Sequence, residues 1–240
     1  MRRWYGTRAG QCLLHGLDET LEALVGSLFG YHALQMGVID PSLDFSRHSR
    51  IPHWVRQDIV SPARVMADAH QLPWDAESLD LVTLLHVLEF SERPHEVLRE
   101  VERTLIPEGH VVIVGFNPWS LMGLWQGAQF WREGVPWCGH FYSALRINDW
   151  LALLGFDTLR TLHYGFRAPI NRLTRHCLES RWERWGRRWW PYFGSVHVIL
   201  ARKRVATLTP IRPRWSKRSA LAPGRLTEPT TRNMNRERTG

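Results

Sequence analysis

Two short apolar runs, separated by a stretch of helical periodicity, dominate the middle of the chain. Residues 79–85 (LDLVTLL) and 111–116 (VVIVGF) are almost continuous apolar segments, which is typical of strands covered on both faces of a parallel sheet. Between them, residues 94–105 begin at a proline and repeat apolar residues at helical spacing, and a Pro-Glu-Gly turn follows at 107–109. The pattern predicts a βαβ unit and therefore an α/β fold.

Weaker periodic segments flank this unit on both sides. Residues 11–29 predict an amphipathic helix, and residues 31–37 (YHALQMG) predict a first strand ending at a glycine. Further on, residues 147–155 predict a second amphipathic helix, followed by strand patterns in FDTLRTLHYGF and FGSVHVILARKR. These elements suffice for one α/β domain.

The stretch between the first strand and the βαβ unit is short. Only 30 residues lie between Gly37 and Asp68, whereas each parallel crossover needs about a dozen or more. We therefore expect at least one short, irregular or missing element in this half of the sheet. The segment 46–58 (SRHSRIPHWVRQD) is interpreted as a polar surface excursion.

Composition and charge favour one folded domain with a basic extension. The chain has 240 residues, 44% of them hydrophobic, and a formal charge of +8. Residues 1–201 carry a net charge of −1 and residues 202–240 a net charge of +9. Residues 205–240 are rich in Pro, Thr, Ser and Arg without periodicity, so we predict a disordered tail there. Such a tail can contact RNA or anionic lipid weakly through phosphates, or simply aid solubility.

Several chemistries are excluded or disfavoured. The only lysines are Lys203 and Lys217, which excludes a P-loop lysine or a Schiff-base lysine before residue 203. The three cysteines are far apart with no CxxC pair, so we expect ordinary thiols and no metal site. No run of about 20 apolar residues and no signal-peptide pattern is present, so we expect a cytoplasmic protein without a transmembrane segment.

The stretch from Asp68 to Phe116 resembles the class I S-adenosyl-L-methionine (AdoMet) dependent methyltransferases, in the methyltransferase-domain-11 branch. The DA..LP loop, the D-L-V strand start, the proline before the helix, LREVERTL and P-x-G-x-VVIVGF match without a gap. The family's closing pattern, a helix ending in Gly-Phe and two antiparallel strands, resumes through about residue 204. The resemblance implies a Rossmann-like fold, a largely parallel sheet with an antiparallel edge strand, and AdoMet as cofactor.

The glycine-rich first motif of that family is degenerate in this chain. Where the family has D/E-x-G-x-G-x-G, this chain has Gln35, Gly37, Ile39 and Pro41. The resemblance implies that Gly37 lets the backbone approach the cofactor. The family's ribose-binding acid at the end of the second strand has three candidates by residue type but no assignment: Asp40, Asp44 and Asp58.

The resemblance implies roles for the following residues. Asp68 and Ala69 would hold the adenine, and Leu85 and His86 would face the methionine part of AdoMet. His86 could also take a proton from the acceptor, with Glu89 one turn later orienting it. The residues alone leave other interpretations open, because Asp often caps a turn and a lone His beside a strand is more often structural.

Two tryptophan-rich segments carry open alternatives. In residues 117–142, four tryptophans recur every six residues, which suits a lid, an apolar substrate pocket or a cover for one sheet edge. In RWERWGRRWWPY, Trp182, Trp185 and Trp189 lie at helical spacing among arginines. That helix could contact a membrane surface or nucleic acid, or turn its tryptophans into the core.

Together these patterns predict an N-terminal helical extension (1–30), a methyltransferase-like domain (31–204) and a basic tail (205–240). The expected function is methyl transfer from AdoMet to a small or moderately hydrophobic acceptor. One alternative is a non-catalytic interaction module that has lost cofactor binding. The other is nucleic-acid or lipid-surface binding through the Arg-Trp segment and the tail.

Overall fold

The computed structural model describes residues 1–37, 45–47, 49–58, 64–128, 138–166 and 191–204. Residues Met1–Val205 form one compact unit. The strands are β1 (His32–Met36), β2 (His53–Asp58), β3 (Val65–Met66), β4 (Leu79–Leu85), β5 (Leu105–Phe116), β6 (Phe156–Tyr164) and β7 (Val196–Lys203). The α-helices are α1 (Arg2–Tyr5), α2 (Arg8–Val25), α3 (Pro94–Thr104), α4 (Leu121–Ala128) and α5 (Ala144–Leu153).

The seven strands form one sheet in the order β3-β2-β1-β4-β5-β7-β6. β1 to β5 pair in parallel. β7 runs antiparallel to both of its neighbours, β5 and the edge strand β6. This arrangement confirms the predicted Rossmann-like fold, a largely parallel sheet whose edge is closed by antiparallel pairing.

The βαβ unit is present where the apolar pattern placed it. β4 spans Leu79–Leu85, as predicted, and α3 ends one residue earlier than expected. β5 begins earlier than predicted and includes the expected turn as a bulge, because its register on β4 jumps from Leu105 to His110. Glu108 within the bulge has a positive φ of 63°. A bulge of this kind bends the strand and increases its local twist without ending it.

The first half of the sheet is shortened, as predicted, but one interpretation was wrong. β2 lies inside the segment interpreted as a surface excursion. Its side chains are mostly half-buried, so the strand shows neither a continuous apolar run nor a clean alternation. β3 has only two residues, and six residues join it to β2. In the described part of the β1–β2 connection, the helical element is a single 3₁₀ turn, Phe45–Arg47.

Hydrophobic cores cover both faces of the sheet. Thr7 caps the N-terminus of α2, because its hydroxyl accepts a hydrogen bond from the Gly10 N–H. The helix ends at Val25, four residues before the predicted end, and packs with the N-terminal residues on one face. α3 and α5 contribute to the core on the other face. Each fully buried Leu or Val side chain stabilises the fold by about 1.5–3 kcal/mol.

Some expectations concern residues beyond these ranges or need correction. Three groups of residues lie outside the described ranges: Trp182, Trp185 and Trp189 of the Arg-Trp segment, Trp131 and Trp137 of the four tryptophans in residues 117–142, and the tail from residue 205. Cys12 is disulfide-bonded, so the expectation of an ordinary thiol there was wrong, whereas Cys138 is an exposed free thiol. Among the described helices, none has the length and apolar character needed to cross a membrane.

Candidate active site

The carboxyl ends of the parallel strands meet at one edge of the sheet, where α/β proteins bind their ligands. Gly37 follows β1 there with a φ of 81°, and its N–H donates to the Gln57 carbonyl at 3.1 Å. A Cβ on Gly37 would lie 2.4 Å from the Leu85 carbonyl oxygen at the end of β4. Only glycine fits this close approach, which explains why one glycine of the motif is kept.

The structure describes one of the three acidic candidates for the ribose, Asp58. Asp58 is the last residue of β2, directly after Gln57, which pairs with Met36 of β1. Asp58 therefore lies at the same sheet edge as Gly37. Asp40 and Asp44 fall outside the described residues. The residue pattern alone supports no assignment, because it did not predict β2.

Asp68 follows β3 and has an exposed carboxylate, with 61% of its side chain accessible. Its Oδ1 accepts hydrogen bonds from the His70 N–H at 3.0 Å and pairs with His70 Nδ1 at 2.7 Å. The backbone hydrogen bond and then the side-chain bond from His70 lower the pKa of Asp68. The carboxylate thus caps a turn, as the alternative interpretation held, and is ionised and exposed at neutral pH. Ala69 beside it is buried.

His86 begins the turn after β4 and is held on both ring nitrogens. Its Nε2 lies 2.7 Å from the Tyr5 hydroxyl, and its Nδ1 lies 2.7 Å from Glu89 Oε2. The ring stacks on Phe116 at a centroid distance of 4.1 Å. His86 has a φ of 54° and is 2% exposed. Such a strained backbone persists only where surrounding contacts fix it, and it is common at functional sites.

Glu89 completes a buried chain of hydrogen bonds. Its Oε1 accepts the Phe116 N–H, while Oε2 pairs with His86. Burial, followed by the charges of Tyr164 and Glu89, raises the pKa of Tyr5, which therefore remains a protonated donor. The protonated Tyr5 hydroxyl therefore donates to His86 Nε2, and the Nδ1–H of His86 donates to Glu89. The sequence brought His86 and Glu89 together but missed Tyr5, because 81 residues separate it from His86.

His197 on β7 lies beside this chain of hydrogen bonds. A Cβ on Gly115 would come within 2.8 Å of its Nε2, and the same cavity wall includes Glu89. Both nitrogens of His197 are buried and lack a hydrogen-bond partner within the structure described. Burial, then the charges of His163 and His86, lowers the pKa of His197 to about 3. His197 is therefore a neutral ring at physiological pH.

The residues at the ends of β1 to β4 fit a cofactor such as AdoMet. Gly37 allows a close backbone approach, and Asp68 offers an exposed anionic acceptor. Gln35, two residues before Gly37, is 1% exposed, and its Nε2 lacks a hydrogen-bond partner within the described structure. A buried donor without a partner is costly, so it favours an arrangement in which a ligand supplies the acceptor.

Apolar side chains extend from the carboxyl end of β5. On and just before α4, Trp119 is 67% exposed, Leu124 64% and Trp125 40%. This part of the aromatic insertion does not bury its rings in the core. For the described ranges, no cluster of three or more His, Cys, Asp or Glu suited to a metal ion is found.

The order and directions of the strands are those of the class I AdoMet-dependent methyltransferase fold. The family model described as methyltransferase domain matches residues 29–113. The chain belongs to this family, in the methyltransferase-domain-11 branch, with a degenerate glycine-rich motif, and its cofactor is AdoMet.

The chain is also similar to proteins of known sequence and structure. The uncharacterized protein YafS of Escherichia coli is 30% identical over 207 residues, covering 86% of this chain and 82% of YafS. A malonyl-[acyl-carrier protein] O-methyltransferase of Halorhodospira halophila is 34% identical over 110 residues, covering 45% of this chain and 35% of that protein. A SAM-dependent methyltransferase of Thermotoga maritima has a TM-score of 0.57 at 21% identity, covering 80% of this chain and 92% of its own.

Proposed function

We propose that this protein transfers the methyl group of AdoMet to a small or moderately hydrophobic acceptor. The observation that carries the proposal is the alignment of Asp68, Asp58, Gly37 and His86 along adjacent strand ends of one sheet edge. AdoMet, when bound, supplies a methyl group already activated by its sulfonium. The protein therefore has to bind, orient and exclude water rather than provide a covalent nucleophile.

The cofactor is held by residues from two halves of the sheet. Asp68 accepts a hydrogen bond from the adenine amine and Ala69 meets the ring through its backbone. Asp58 accepts hydrogen bonds from the ribose hydroxyls. Gly37 and Leu85, which approach each other closely, line the methionine end. The position of each residue at the end of a strand, or just after it, supports these roles.

His86 is the proposed base and Glu89 its positioning residue. Glu89 holds Nδ1 as an N–H donor, which leaves Nε2 as the basic nitrogen. Tyr5 currently occupies Nε2, so a productive acceptor replaces the Tyr5 hydroxyl there. The proton of the acceptor then passes to Nε2, and the Glu89 carboxylate offsets the positive charge of the imidazolium. His86→Asn should lower the rate about 10²- to 10⁴-fold.

The apolar side chains after β5 support the hydrophobic character of the acceptor. Trp119, Leu124 and Trp125 are exposed close in sequence to the end of β5, and apolar walls with few polar groups are typical of small-molecule sites. The Halorhodospira relative is named as an O-methyltransferase. That name supports testing acceptors with acidic hydroxyl or carboxyl oxygens first.

The experiment is transfer of labelled methyl groups. The full chain is incubated with methyl-tritiated AdoMet and a panel of phenols, carboxylic acids and fatty acyl thioesters, and label is counted in the organic extract. Label above the level of the Gly37→Ala variant supports the proposal. AdoMet binding without transfer to small molecules, protein or RNA would favour the non-catalytic interaction module instead. Label in RNA would favour the nucleic-acid alternative.

A further inference from the structure

The buried side chain of Gln35 contains an unused hydrogen-bond donor. Gln35 lies in the middle of the sheet on β1 and is 1% exposed. Its Nε2 lacks a partner in the described structure, whereas another buried glutamine, Gln57, uses both its Nε2 and its Oε1. Because a buried amide normally finds an acceptor, the exception at Gln35 requires a physical explanation.

The sheet order indicates which part of the cofactor lies near Gln35. Asp68 follows β3 and Asp58 ends β2, and these strands precede β1 in the order β3-β2-β1-β4. If adenine lies beyond β3 and ribose beyond β2, the methionine part lies beyond β1 and β4. Gln35 pairs in register with Thr83 of β4, which places it at that junction.

The methionine part of AdoMet has one group that matches an amide donor. Its sulfonium accepts no hydrogen bond, its ammonium is itself a donor, and its carboxylate is a strong acceptor. We propose that Gln35 Nε2 donates to the methionine carboxylate and makes this chain selective for a cofactor that carries it. This inference rests on AdoMet binding, the first step of the proposed function.

The family has an acidic residue at the position of Gln35, and the difference in charge between the two side chains supports the proposal. A carboxylate at position 35 would repel the cofactor's carboxylate and attract its ammonium. An amide of the same length removes the repulsion and offers a donor. Recognition of the amino acid end of the cofactor in this chain therefore depends on its anionic group.

The test compares two cofactors that differ only in this group. AdoMet and decarboxylated AdoMet are titrated by calorimetry into the wild type, Gln35→Met and Gln35→Glu. Gln35→Met keeps side-chain length but removes the donor, and should weaken AdoMet binding about 10- to 100-fold. Binding of decarboxylated AdoMet should change less than about twofold. Gln35→Glu should weaken AdoMet binding further and strengthen binding of the decarboxylated compound.

Controls separate this inference from the proposed function. Gln11→Met makes the same change on an exposed glutamine of α2 and should alter neither affinity. Thermal unfolding confirms that each variant is folded. If Gln35→Met weakens both compounds equally, or neither, the carboxylate contact is wrong while AdoMet binding stands. If the wild type binds neither compound, the proposed function fails together with the inference.

Discussion

The two halves of the parallel sheet differ in how much of the family pattern they keep. The β4–β5 unit, residues 79–116, has a seven-residue and a twelve-residue strand joined by an eleven-residue helix. The β1–β3 unit, residues 32–66, has strands of five, six and two residues. The proposed base lies in the first unit, whereas most proposed cofactor contacts lie in or just after the second.

This difference shows that fold and site impose separate requirements. The β4–β5 unit is buried on both faces, so its sequence must remain apolar to form the core. In the β1–β3 unit, β2 and β3 lie towards the outside of the sheet. These strands are therefore short although the sheet is intact. The β1–β3 unit still places Gly37 and Asp58 at the carboxyl ends of the parallel strands. Gly37 directly follows β1, and Asp58 is the last residue of β2. The proposed binding of AdoMet therefore depends on the less complete half.

The largest effect is expected at Gly37, in the less complete half. In Gly37→Ala, the new Cβ would meet the Leu85 carbonyl oxygen at a φ of 81°. We expect a loss of at least about 2 kcal/mol of unfolding free energy and loss of AdoMet binding. Gly155→Ala is the matched control, since its φ is 82° but nothing lies within 4 Å of a Cβ. Equal effects of the two variants would contradict a close approach at Gly37.

The next-largest effect is expected in the stability of the fold at acidic pH. It involves His197 on β7, the strand that pairs with β5. His197 has a folded pKa of about 3, below the unfolded value of about 6.5. Below pH 6.5 the unfolded chain therefore binds a proton that the folded chain refuses, and stability falls as pH falls towards 3. Between pH 7 and 5 this loss is about 2 kcal/mol.

Urea unfolding at pH 7 and pH 5 measures this difference directly. In His197→Leu the acid-dependent loss should shrink by about that amount, whereas replacing the exposed His53 by Gln should leave it unchanged. A wild-type loss that persists in full in His197→Leu would show that another group is responsible.

A smaller effect is expected at Tyr5, which ties the N-terminal helix to the β4–β5 unit. Tyr5→Phe removes the donor to His86 Nε2 and leaves that nitrogen buried without a partner. The unfolding free energy should fall by about 1–2 kcal/mol. Tyr31→Phe removes a hydroxyl from a residue that is 73% exposed and should have almost no effect. Similar losses in both variants would argue against a stabilising Tyr5–His86 bond.

The smallest effect concerns cofactor affinity at Asp68. Asp68→Ala should weaken AdoMet binding about tenfold, with the domain still folded, because the carboxylate is exposed and its loss disturbs only a turn. Calorimetry compares it with Asp75→Ala, a change at an exposed aspartate of the next turn. Unchanged affinity in Asp68→Ala would remove the adenine role from this residue.

The elements of the β4–β5 unit were predictable from the sequence, whereas β2 of the β1–β3 unit was not. β4 and α3 were predictable because burial dictates continuous apolar runs and helical spacing. β2 was not, because half-buried peripheral strands tolerate polar residues such as those in HWVRQD. Asp58 therefore stayed one of three candidates. His86 and Glu89 were found together because they lie only three residues apart in the chain, whereas the Tyr5 contact spans 81 residues and leaves no local pattern.

The most direct test is a calorimetric titration of AdoMet into the full chain, preceded by mass spectrometry of the denatured protein for co-purified cofactor. The shortened β1–β3 unit still supplies Gly37, Asp58 and the Asp68 loop, so we predict saturable binding at one site per chain. Binding should disappear in Gly37→Ala and persist in Gly155→Ala. An absence of binding at millimolar AdoMet would contradict the account, because the fold would then have kept its sheet and lost its cofactor.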